Sequence, residues 1–138
     1  MNVIEQPPVL GRGEERISVL VADKNAHYRE TIRRVLDRHD NCTVVGEAST
    51  LPGAAALVAE KSPDLVLLDF DLVANEKVGR VRRLADAFPD LHVVVLLNDY
   101  SPDYRQAVQV RWGYLCVAKD RAEEHLAWII GSMKPTKV

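Results

Sequence analysis

Three charged residues stand out because each closes a short apolar run. Asp23 follows Ile17-Ser18-Val19-Leu20-Val21-Ala22, Asp69 follows Leu65-Val66-Leu67-Leu68, and Lys119 follows Tyr114-Leu115-Cys116-Val117-Ala118. Runs of that length and β-branched content read as buried strands, so each charge falls on a strand tip. A carboxylate at such a tip, with an acid beside it and a lysine across from it, can bind a divalent cation and accept a phosphoryl group. The cation screens negative charge, the carboxylate attacks in line, and the lysine neutralises the phosphoryl oxygens. Lys24, directly after Asp23, opposes the cation. At about 4 Å and an effective dielectric near 20, each unit-charge pair interacts by roughly 4 kcal/mol. The expectation is a weak or absent metal site, with a Lys24–Asp69 ion pair in the cation's place. Asp71 and Asp99 are candidate substitute ligands, although solvation in loops accounts for both.

The elements that must position these residues alternate strictly. Strands are expected at Ile17–Ala22, Thr43–Ala48, Leu65–Leu68, His92–Leu97 and Tyr114–Ala118. Between them, Tyr28, Ile32, Val35, Leu36 and His39 form one apolar stripe on a first helix capped by Asn25. A second, alanine-rich helix begins near Pro52 with Thr50 as its cap. A third runs from Lys77 to Phe88, and Ser101-Pro102 opens a fourth. The fifth starts at Asp120-Arg121-Ala122-Glu123, the spacing of a capping box, and carries Leu126, Ile129, Ile130 and Met133 inward. Five strands alternating with five helices predict an α/β doubly wound parallel sheet in the order 2-1-3-4-5. Functional residues of such a sheet collect at the carboxyl ends of its strands, which gathers Asp23, Lys24, Asp69 and Lys119. Residues 1–16 read as a flexible leader, 17–134 as the domain and 135–138 as a tail.

Composition excludes several functions. The chain has 138 residues, with 18 Lys+Arg against 20 Asp+Glu and a formal charge of −2. That balance argues against direct nucleic-acid binding, and the arginines at 29, 33, 34, 38, 80, 82 and 83 read as solvated helix faces. No apolar run reaches the roughly 18 to 20 residues of a membrane span, so a cytoplasmic protein without a membrane partner is expected. His27, His39, His92 and His125 share no ligand spacing, and the loop after the first strand carries an acid where a flavin phosphate would need small residues. Cys42 and Cys116 would lie on opposite edge strands, roughly 19 Å apart at about 4.8 Å per strand. That exceeds the ~7 Å reach of a disulfide.

The ordered set Asp23, Val44-Val45-Gly46-Glu47-Ala48, Pro63-Asp64-Leu65-Val66-Leu67-Leu68-Asp69 and Lys119-Asp120 resembles the receiver domain of bacterial two-component response regulators. It is most similar to the subgroup usually linked to a helix-turn-helix output domain. The resemblance implies a flavodoxin-like fold and a signalling module in a phosphorelay, not an enzyme. By position, Asp69 matches the phosphoacceptor, Asp23 the first of an acidic pair, the backbone carbonyl of Asp71 a magnesium contact, and Lys119 the family's lysine. The second acid is Lys24. The switch hydroxyl of the fourth strand falls on Leu97, and the switch aromatic of the fifth on Cys116. The expected function is therefore an atypical receiver acting as a protein-interaction module with weak or no magnesium-dependent phosphorylation. The alternative is a working phosphoacceptor taking a phosphoryl group on Asp69 from a partner histidine kinase.

An interface is expected on the fourth helix, fifth strand and fifth helix, joining two copies of the chain or a signalling partner. The inward stripe of the fifth helix leaves Trp128 pointing away, and Tyr104, Trp112 and Tyr114 lie on or near the same elements.

Overall fold

The computed structural model describes residues 16–74, 79–98 and 115–133. The expected leader up to residue 15, the tail, Asp99, the helix opened by Ser101-Pro102, and Tyr104, Trp112 and Tyr114 lie outside the described residues. The elements run β1 (Ile17–Ala22), α1 (Ala26–Asp37), β2 (Cys42–Ala48), α2 (Leu51–Lys61), β3 (Leu65–Asp69), α3 (Phe70–Ala74), α4 (Gly79–Ala87), β4 (His92–Leu97), β5 (Leu115–Ala118) and α5 (Ala122–Ser132). All pairings are parallel, in the order β2-β1-β3-β4-β5.

Side-chain alternation along the strands divides the core in two. Leu20, Ala22, Val66, Leu68, Val95, Leu97 and Cys116 face α2 and α4, where Ala54, Val58, Val81 and Leu84 pack on them. Val19, Val21, Leu65, Leu67, Val94, Leu96 and Val117 face α1 and α5, meeting Ile32, Leu36, Leu126 and Ile130. Both cysteines are buried free thiols. Their separation follows from the sheet, because Cys42 opens one edge strand and Cys116 lies in the other.

The helix starts follow from short polar side chains. Asn25 accepts from the amides of His27 and Tyr28, and Thr50 accepts from Gly53 with proline in the first turn. The expected capping box at Asp120 does not form. Residues Lys119–Arg121 make a 3₁₀ turn straight out of β5, and α5 begins after Arg121 with no side-chain cap. The tighter turn displaces the helix start by one residue and leaves Asp120 within the turn. A second difference is α3, which follows Asp69 without a loop and which no periodicity in five residues can announce. The expected start of the next helix at Lys77 lies outside the described residues.

Register sets the site. A bulge between Val19 and Leu20 pairs Leu20 with Gly46, where a Cβ would stand 3.1 Å from the Leu20 side chain and 3.3 Å from that of Leu57. Beyond it Ala22 pairs with both Ala48 and Leu68, so Asp23 and Asp69 emerge side by side at the carboxyl edge. Leu97 pairs with Ala118, which brings the following Lys119 to the same edge.

Candidate functional site

Asp23 and Asp69 are the charged residues at this edge that the fold buries, at 1% and 2% exposure. Burial of two carboxylates demands compensation, and Lys119 supplies it. Its Nζ lies 2.6 Å from Asp23 Oδ2 and 2.9 Å from Asp69 Oδ1. The first contact is a hydrogen bond and the second an ion pair, and Asp69 Oδ1 meets no further polar partner among the described residues. The other oxygen of Asp23 accepts from the amide of Asn25 at 2.8 Å, and its carbonyl accepts from the guanidinium of Arg29. Arg29 is held in turn by Glu47, which also pairs with Arg33 at 2.8 Å.

The electrostatics follow from this packing. Burial pushes the Asp69 carboxyl above its ordinary range, the neighbouring Asp23 and Asp71 push it further, and Lys119 opposes them. Burial would lower Lys119, but Asp23 and Asp69 together raise it, so the ammonium form is favoured. Over the ammonium lies the ring of Tyr28, its centroid 4.4 Å from Nζ. Burial first, then the charges of Asp23, Asp69 and Asp120, raise the phenol well above its usual range, so it stays protonated.

Residues 19–130 match the family model of the response regulator receiver domain. The chain belongs to that family. It is 30% identical over 82 residues to the uncharacterized transcriptional regulatory protein YhcZ of Bacillus subtilis, covering 59% of this chain and 38% of that protein. It is 29% identical over 83 residues to the transcriptional regulatory protein DegU of Brevibacillus brevis, covering 60% and 35%. The chain thus spans well under half the length of these curated relatives. Its fold is similar to that of the signal receiver domain of NarL from Mycobacterium tuberculosis, with a TM-score of 0.69 at 21% identity, covering 86% of this chain and 99% of that one.

In receiver terms, the structure brings together Asp23, Asp69 and Lys119 and leaves Lys24 apart. Lys24 is exposed and makes no ion pair among the described residues. The Lys24–Asp69 pair expected from sequence therefore gives way to Lys119, because the residue after Asp23 turns outward as the chain leaves the sheet. Asp71 is exposed in the first turn of α3. Leu97 and Cys116, expected from the resemblance at the switch positions, are buried in the core between the sheet and α2 and α4. They offer no hydroxyl and no ring. Tyr28 is the residue that sequence reasoning missed, since its place on the apolar stripe reads as packing alone. The signal was its position in the first turn after Asp23, at the edge where the charges collect.

Magnesium, the metal of this family, takes about six oxygen ligands in near-octahedral geometry. The ion keeps several waters and needs only one or two carboxylates, but here an ammonium already lies between the two carboxylates, one oxygen of Asp23 is engaged by an amide, and the residue after Asp23 is a lysine. The charge at the site opposes the ion.

Proposed function

We propose that this receiver is atypical, working as a protein-interaction module in two-component signalling with weak or no magnesium-dependent phosphorylation. One observation carries the reading: the place of the second acid is taken by Lys24, which is exposed and adds a positive charge and no carboxylate to the Asp23–Asp69 pair that Lys119 already neutralises. Leu97 and Cys116, in place of the switch hydroxyl and ring, support it. Receiver domains signal through contacts with histidine kinases and output domains. For this chain the proposed partner is a histidine kinase or another signalling protein, in the cytoplasm, with no catalysis and no direct nucleic-acid contact of its own. Trp128, 70% exposed on α5, and Leu115, 43% exposed on β5, are the apolar anchors offered to that partner or to a second copy of the chain. No described helix is long and apolar enough to cross a membrane.

A second reading is favoured by the same convergence. Asp69, Asp23 and Lys119 meet at one edge of the sheet, with the ammonium 2.9 Å from Asp69 Oδ1, a charge that would neutralise an incoming phosphoryl group. Incubation with acetyl phosphate and magnesium, followed by intact mass, separates the two. Most of the chain should remain unmodified. A stoichiometric phosphoryl adduct, abolished in Asp69→Asn, would overturn the atypical reading and establish the phosphoacceptor.

A further inference from the structure

We propose that Tyr28 is the positioning residue that holds Lys119 across the acid pair, so that ring and ammonium together close the site to divalent cations. The proposal rests on the reading of the site as neutralised from within. Lys119 has a flexible four-carbon stem, and two carboxylates constrain its ammonium from two directions only. The ring of Tyr28 occupies a third, 4.4 Å from Nζ. An aromatic face attracts a cation through its quadrupole, more strongly where water is excluded. Water is largely excluded here, because the Lys119 side chain is 13% exposed.

The ring and the carboxylates are built as one unit. Asn25 donates its amide to Asp23 Oδ1 at 2.8 Å, and its own side chain accepts from the Tyr28 amide at 3.2 Å. A single residue thus fixes the first acid and starts the helical turn that carries the ring. Tyr28 also packs against the core between the sheet, α1 and α5. Its hydroxyl is buried without a hydrogen-bond partner among the described residues. The ring therefore makes the contact and the hydroxyl does not, which predicts that phenylalanine serves equally well. A divalent cation entering between Asp23 and Asp69 must displace the ammonium, and the ring resists that displacement.

The experiment is a magnesium titration of the full chain, followed by amide NMR shifts at Asp23 and Asp69, in wild type, Tyr28→Phe, Tyr28→Leu and Lys119→Gln. Tyr28→Phe should match wild type. Tyr28→Leu should tighten magnesium binding by roughly 2- to 30-fold, the range of a cation–π contact from exposed to desolvated. Lys119→Gln should tighten it at least as much. The side-chain methylene protons of Lys119 next to Nζ should be shifted upfield by the ring in wild type and Tyr28→Phe, and should return to ordinary values in Tyr28→Leu. If Lys119→Gln gains affinity and Tyr28→Leu does not, the ammonium excludes the cation unaided. The role of Tyr28 is then overturned while the self-neutralised site stands. Millimolar or tighter binding in wild type with no gain in Lys119→Gln would overturn the self-neutralised site itself. Should Tyr28→Leu fail to fold, an unshifted Lys119 in wild type overturns the proposal on its own.

Discussion

The two ends of the sheet bury the same kind of residue in opposite ways. At the amino edge, Asp64 Oδ2 accepts from both the amide and the hydroxyl of Ser18, at 2.9 and 3.0 Å. The Asp64 amide returns a bond to the Ser18 hydroxyl, and the amide of His92 donates to the Asp64 carbonyl. Through these bonds to Ser18 and His92 the aspartate ties β1, β3 and β4 together. At the carboxyl edge, Asp69 is balanced among the described residues by the Lys119 ammonium, and its Oδ1 finds no further polar partner there. A buried carboxylate surrounded by donors is structural, whereas one balanced by a single movable charge retains capacity for chemistry or binding.

The sharpest test of that contrast is Asp64→Ala, which removes two hydrogen bonds to a buried charge. It should destabilise by about 3 kcal/mol in urea unfolding and leave magnesium titrations unchanged. A change in cation binding would break the separation of the two ends. Lys119→Ala leaves two carboxylates facing each other and should cost about 2 kcal/mol, less than a fully buried pair because Asp69 can take up a proton. In wild type the contribution of Lys119 is fully present below its ordinary pKa of 10.5 and is lost as pH rises through its raised folded value. Thermal unfolding of the alanine variant should lack that alkaline loss.

Asp69→Asn works in the other direction. Because the folded pKa of Asp69 is raised above 3.8, its contribution is fully present below that value and is lost as pH rises through the folded one. The asparagine variant should therefore melt higher than wild type at pH 7, with the difference closing toward pH 3. Lys24→Asp should tighten magnesium binding by about tenfold, by removing repulsion and adding a ligand, with little effect on stability because residue 24 is exposed. Glu47→Ala gives the smallest effect, under about 1 kcal/mol, since its bridges to Arg29 and Arg33 are partly exposed. The hydrogen bond from Arg33 lowers the Glu47 pKa, so its contribution is present above 4.5 and lost as pH falls through the folded value.

The strand and helix alternation was legible because burial on both faces writes continuous apolar runs such as Val93 to Leu97 and interrupts them with capping residues such as Asn25 and Thr50. Strand order followed from the handedness of parallel crossovers, and with it the meeting of Asp23, Asp69 and Lys119 across 97 residues of chain. Outward placement of Trp128 followed from the helical period of Leu126, Ile129 and Ile130. Tertiary structure alone decided which lysine neutralises the acids. Lys119 directly follows β5 while Lys24 stands one residue further from β1, and the chain turns outward after Asp23 but enters a 3₁₀ turn straight after Ala118. It also decided that Tyr28 lies over a charge and not only in a core. Periodicity specifies the face on which a ring lies, while the partner it meets depends on a side chain arriving from the far end of the sequence.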